Sequence, residues 1–176
     1  MKKTLNVGAG GRTYETYPSP DFKCINLDAR ALPNINVVAD VTNLHMFIPG
    51  EFDYILASDI IEHFPISKTA EVLTEWVRVL KPGGIIEFRL PNLAAICKQY
   101  FAGGQNAKNV SWLLYGGQDY PGNFHYVGFD RAFFKDVCSG VGLFEVSYQE
   151  EGFNMIIKYR TGVFREDRDW PRNWSY

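Results

Sequence analysis

The chain has 176 residues, 46% of them hydrophobic and 15% aromatic, which is enough to bury one sizeable core but not two separate ones. One domain spanning 1–176 is therefore expected. A formal net charge of -2 and a pI near 5.9 remove the positive field with which nucleic-acid binders gather phosphates, so no nucleic-acid partner is expected.

In chain order, short apolar runs alternate with helical patterns through the first hundred residues, the arrangement that gives parallel strands joined by crossovers. Strands are predicted at about Thr4 to Val7, Lys23 to Leu27, Asn36 to Val38, Tyr54 to Ala57 and Ile85 to Arg89. A helix is predicted from Ser67 to Leu80, with Ser67 capping its first turn and Ala70, Leu73, Val77 and Leu80 forming its apolar stripe. Lys81-Pro82-Gly83-Gly84 stops it. Further helices are expected from Leu93 to Phe101, ended by Gly103 and Gly104, and from Arg131 to Ser139, with Asp130 as N-cap. Two last strands, Leu143 to Gln149 and Phe153 to Tyr159, are separated only by Glu150, Glu151 and Gly152. So short a link requires an antiparallel hairpin. The segment at about 103–128 lacks a steady period and reads as a structured insertion of the kind that often carries function; the tail at 161–176 is expected to be irregular.

No run approaches the ~20 apolar residues of a membrane helix, and MKKTLNV reaches the first strand too soon for a secretory signal, so no membrane association and a cytoplasmic location are expected. Cys24, Cys97 and Cys138 are odd in number and far apart. They suggest three reduced thiols, with neither a disulfide framework nor a metal site.

Chemistry concentrates where the strands end. The first runs into LNVGAGGR, whose glycines at 8, 10 and 11 let the backbone turn tightly and approach a ligand. The dinucleotide fingerprint would need a glycine at position 13, and Thr13 stands there, which argues against NAD. The second strand ends in INLDAR, placing Asp28 about 20 residues after the glycine turn, the spacing at which a carboxylate accepts both hydroxyls of a ribose. The third ends in VVADVTNL, where Asp40 could meet an adenine amino group with Val41 packed on the ring, or serve as an ordinary cap. The fourth, FDYILASDIIEHF, sets Ser58, Asp59, Glu62 and His63 past its end, where open α/β sheets bind ligands.

These residues, with EWVRVLKPGGIIEFRLPN after them, resemble the class I S-adenosylmethionine-dependent methyltransferases, in particular the methyltransferase-11-like group. The likeness is close from about Thr4 to Asn92. It implies a Rossmann-like α/β fold: an open, mostly parallel sheet with a C-terminal antiparallel hairpin, seven strands in all, in three α/β/α layers. It also implies S-adenosylmethionine as cofactor, with S-adenosylhomocysteine as product. By the same resemblance Gly8, Ala9 and Gly10 pass the methionine part, Asp28 holds the ribose, and Ala29, Asp40 and Val41 meet the adenine. Ser58 and Asp59 touch the methionyl end and face the acceptor, while RVLKPGG is structural. The sequence departs from the family at Asn6, where many members have an acid, and at Arg12, which replaces a small residue. Few residues separate Arg12 from Asp28, so the first crossover helix is expected to be short or lost. The amino-terminal helices that usually cover the site are also expected to be missing, which would leave the pocket open or closed by the insertion, a second copy or a partner chain.

Methyl transfer mainly requires alignment of donor and acceptor, and a hydroxyl acceptor gains from a nearby base. His125, His63 and Asp59 are the catalytic candidates, His45 being expected at the surface. Tyr115, Gln118, Asp119, Tyr120, Phe124 and Tyr126 give the insertion stacking faces and hydrogen-bonding groups suited to a sugar or another small polar acceptor. The strand-four ending ASDI lacks the sequences of nucleic-acid amino or cytosine-carbon methyltransferases. A cofactor-binding chain without turnover, acting as a regulatory or assembly subunit, is the alternative.

Overall fold

The computed structural model describes residues 1–162. Seven strands form one sheet: β1 (Lys2–Val7), β2 (Phe22–Asp28), β3 (Val37–Val38), β4 (Phe52–Ser58), β5 (Leu80–Pro91), β6 (Leu143–Glu151) and β7 (Asn154–Thr161). Their order is β3-β2-β1-β4-β5-β7-β6. The first five are parallel and the β6–β7 hairpin antiparallel, with β7 pairing β5. The expected open sheet and hairpin are therefore present. Thr161, expected in the irregular tail, ends β7 opposite Leu143; the tail beyond Gly162 lies outside the described residues.

The chain between β4 and β5 makes a single 3-10 turn, Ile61–His63, and then α1 (Ile66–Val79). Its cap is Pro65, and Ser67 sits inside the first turn rather than capping it. The buried stripe is Thr69, Val72, Leu73, Trp76 and Val79, one position out of phase with the predicted one apart from Leu73. Trp76 sets this phase: it is fully buried and its Nε1 donates to the Val41 carbonyl at 2.8 Å, a bond only one rotation of the helix permits. Leu80 already pairs with Phe52, and Ile85 with Tyr54. The Lys81–Gly84 turn is thus a bulge within β5 that realigns the strand.

After β5 come α2 (Leu93–Phe101), α3 (Ala107–Tyr115) and α4 (Arg131–Gly140). Asn92 caps α2 and Asp130 caps α4 through their side chains. α3 lies inside the segment read as an insertion without period; Asn106 caps it, accepting from Asn109 N, but none of its residues is buried. A helix with no buried face has no apolar stripe to announce it.

One sheet face, with Leu5, Val7, Ile55, Ala57, Ile86, Phe88 and Ile157, is apolar and belongs to the main core together with Trp76, Phe134 and Cys138 from α1 and α4. The opposite face carries the buried polar side chains Thr4, Asn6, Asn26 and Glu87 beside Tyr54 and Leu56. The β1–β2 crossover contains no helix, and its chain lays Tyr17 over that face instead. Glu87, 1% exposed, accepts from Tyr17 OH at 2.7 Å, Tyr54 OH at 2.5 Å and Arg89 Nε at 2.7 Å, with Lys158 Nζ 3.3 Å away. Burial pushes the Glu87 carboxyl up, but these hydrogen bonds outweigh it and hold the group below its ordinary range. Among the described residues no helix is long and apolar enough to cross a membrane.

Candidate active site

The sheet order reverses between β1 and β4, and their carboxyl ends open a crevice at this switch point. Gly8 and Gly10 leave β1 with φ of +64° and +53°, backbone that glycine adopts without strain. A Cβ on Gly8 would lie 2.7 Å from Ile60 Cδ1, so the absence of a side chain also lets the loop meet the β4 connection. Gly8→Ala is expected to cost about 1–2 kcal/mol in left-handed backbone strain and to displace Ile60, read as a lower melting temperature and weaker ligand binding.

Asp28, at the end of β2, is 5% exposed. Its Oδ2 accepts from Gly10 N at 2.8 Å; its Oδ1 accepts from Arg30 N at 2.9 Å and Arg30 Nε at 3.1 Å. Burial raises its pKa, but the bonds from Arg30 and Gly10 prevail and keep the carboxylate ionised below its ordinary range. A carboxylate has about four lone-pair sites, so one remains beside the loop and the Arg30 side chain can release a second. Arg30 in turn lies over the Tyr120 ring, 4.8 Å from its centroid.

Asn6 braces the loop from below, donating to the Arg12 carbonyl at 2.8 Å and to Asn26 Oδ1 at 3.0 Å. Arg12 crosses the crevice, its Nη1 3.0 Å from Ser58 Oγ and 2.5 Å from Asp59 Oδ2. Both departures from the family pattern thus fall on the glycine loop and its closure onto β4. Asp59 itself has a φ of +51°, which turns its side chain back toward that loop.

Two adjoining cavities make up the cleft. One, of about 480 Å³, is lined by Asp28, Ala29, Asp40, Val41, Ile60 and Phe64. The other, of about 360 Å³, is lined by the Gly8 to Arg12 loop, Ser58, Asp59 and, from the insertion, Trp112, Leu113, Gly116, Gly117, Asn123 and His125. Gly8, Arg30, Asp59, His63 and Tyr120 border both. Every residue predicted at the cofactor site lines one or the other. Asp40 is also a turn cap, its Oδ1 accepting from Thr42 N and Oγ1 at 2.8 Å, which is the second of its two sequence readings. Of the insertion's predicted contacts, Tyr120 lines the cleft, whereas Tyr115, Gln118, Asp119, Phe124 and Tyr126 do not. Trp112 and Asn123 were not legible because their approach depends on α3.

His63 and His125 come together edge to face, ring centroids 4.7 Å apart. His125 Nδ1 lies 3.0 Å from the Leu113 carbonyl; as that oxygen can only accept, Nδ1 carries the proton and Nε2 presents a lone pair. Burial lowers the pKa of both rings, and in His63 the neighbouring His125 adds to it, so both are neutral at neutral pH. Beside them Glu62 is buried and its pKa is pushed up to about 8, chiefly by burial, with the Asp59 charge contributing. His45 is exposed, paired with Asn43.

A glycine cradle, a buried acid at the next strand end and a two-lobed crevice over a sheet of this order define a nucleotide-type cofactor site on a class I methyltransferase fold. Comparison with known proteins agrees. A family model described as a methyltransferase domain matches residues 5–88, while no curated protein matches the sequence. Among solved structures, the Burkholderia thailandensis 1,6-didemethyltoxoflavin-N1-methyltransferase with bound 1,6-didemethyltoxoflavin and S-adenosylhomocysteine is 14% identical, with a TM-score of 0.66 over 91% of this chain and 71% of that one. A Methanosarcina mazei S-adenosylmethionine-dependent methyltransferase is also 14% identical, with a TM-score of 0.65 over 92% and 93% of the two chains. A Haloferax volcanii putative methyltransferase in complex with the Trm112 methyltransferase activator is 10% identical, with a TM-score of 0.62 over 92% and 83%. At these identities the structures attest the shared fold; the family match and the site carry the rest. The family match over residues 5–88 and the class I methyltransferase fold of the chain support a class I S-adenosylmethionine-dependent methyltransferase, with S-adenosylmethionine as cofactor.

Proposed function

We propose that the chain methylates a hydroxyl of a small polar acceptor, a sugar or related metabolite, held between the glycine loop and the insertion. The observation that carries this reading is the meeting of the two lobes at Gly8, Asp59 and His63, which brings a cofactor-sized crevice against a chamber of mixed polar and apolar lining whose volume suits a small molecule. When bound, S-adenosylmethionine supplies a sulfonium methyl group open to in-line displacement. Asp28 takes the ribose hydroxyls; Ala29, Val41 and Phe64 enclose the adenine, with Asp40 Oδ2 toward its amino group. Gly8, Ala9 and Gly10 border the methionine part, and Arg12 stands at its charged end with Ser58 and Asp59. The acceptor rests on Tyr120 and Trp112, and His63 and His125 activate its hydroxyl. Free Cys24, Cys97 and Cys138 suit the reducing conditions of the cytoplasm.

Calorimetric titration tests this reading, followed by an acceptor screen that begins with sugars. Micromolar binding of S-adenosylmethionine and S-adenosylhomocysteine, none of NAD, and methyl transfer to a hydroxyl are the expected results. In His125→Ala, turnover should fall by roughly 10²-fold or more with cofactor affinity unchanged. Cofactor binding without turnover on any acceptor would replace the reading with that of a regulatory or assembly subunit.

A further inference from the structure

Buried side-chain polar atoms in folded proteins almost always have a hydrogen-bond partner. Four such atoms among the described residues have none, and three of them sit side by side: Glu62 Oε1, Glu62 Oε2 and His63 Nδ1, the fourth being Tyr159 OH. Glu62 is 1% exposed. His125 adds an Nε2 lone pair, its ring oriented by the Leu113 carbonyl, which is how a metal-ligating imidazole is commonly held from its far side. One ligand atom from each of Glu62, His63 and His125 lies within 4.8 Å of the others. Ligands about 2.0–2.2 Å from a common ion stand roughly 3–4 Å apart, so an ion would draw the three inward by about an ångström. Asp59, near enough to influence all three electrostatically, adds negative charge.

We propose that Glu62, His63 and His125 bind one divalent transition cation at the junction of the two lobes, with an open coordination position facing the acceptor. Two imidazoles and a carboxylate favour zinc, iron, cobalt or nickel over magnesium or calcium, and three protein ligands leave room for a substrate oxygen. His63 borders both lobes and His125 the acceptor side, so the open position points into the cleft. An acceptor hydroxyl binds there through its oxygen; its O–H bond breaks, the proton passes to solvent, and the oxygen stays on the ion as the nucleophile. The two histidines thus activate the hydroxyl through the ion. This role rests on the methyl-transfer reading above, whereas the binding of the ion does not.

The untagged full chain, stripped with chelator, is titrated with Co2+ and followed by its visible d–d absorption and by bound metal per chain. One ion per chain is expected, displaced by Zn2+, lost in Glu62→Gln and in His125→Ala, and retained in His45→Ala. Circular dichroism melts establish that each variant is folded; two variants on different segments guard against misfolding of one. Failure of the folded wild type to bind Co2+, or a spectrum unchanged in both variants, overturns the proposal. Titration of S-adenosylmethionine on the same samples separates the failures: cofactor binding without Co2+ rejects the cation site alone, and Co2+ binding without cofactor rejects the functional reading alone.

Discussion

Replacing Asp28 with alanine is expected to weaken S-adenosylmethionine binding by about 1–3 kcal/mol, the usual cost of losing hydrogen bonds to a charged group, or up to roughly a hundredfold in Kd. The residue acts in two ways. In the proposed reading it offers the cofactor a buried carboxylate, and it holds the glycine loop through Gly10 N at 2.8 Å. Asp28→Asn separates these roles, because an amide oxygen can still accept from Gly10 while the charge is gone; its affinity should fall between wild type and alanine. Calorimetric titration at constant salt measures both. Equal affinity in all three proteins would remove Asp28 from the ribose site.

Glu87→Ala is expected to cost about 3–5 kcal/mol of folding stability, the range for removing one partner of a buried ionic network. Tyr17 and Tyr54 lose their acceptor, and Arg89 loses its carboxylate. Side chains of Arg89 and Lys158 are 35% and 39% exposed, so water relieves part of the loss and the lower figure is the better expectation. Urea unfolding reads it as a drop in midpoint at unchanged slope; an unmoved midpoint would mean that the network contributes nothing net. The same residue gives stability a pH dependence. Its folded pKa lies below the unfolded value near 4.3, so its contribution is complete above that value and disappears as pH falls through it and on through the folded pKa. Stability should therefore decline on acidification below about pH 5, and Glu87→Gln should flatten the decline. Asp28, Asp53, Glu75 and Glu145 are shifted the same way and leave a residual slope.

Much of the cofactor half was legible because its parts are local. A strand's apolar run, the glycines that follow it and an acid at the next strand end are adjacent in sequence, so β1 with Gly8 and Gly10, β2 with Asp28 and β4 with Ser58 and Asp59 could be read directly. The hairpin could be read from its short link alone. The phase of α1 could not, since the choice of Trp76 over Val77 for the core depends on a bond to Val41 from another part of the chain. Nor could α3, whose residues bury no stripe. By itself the sequence determined the sheet and the residues that line the crevice at its carboxyl edge, because those depend on periodicity and backbone freedom within a few residues, and its motifs carried the resemblance that implies the cofactor. Only the tertiary structure decided that Arg12 reaches Asp59, that Tyr120 closes over Arg30, and that His125 meets Glu62 and His63. Those are contacts between side chains far apart in the chain, and no spacing along a sequence encodes which of them the packing will bring together.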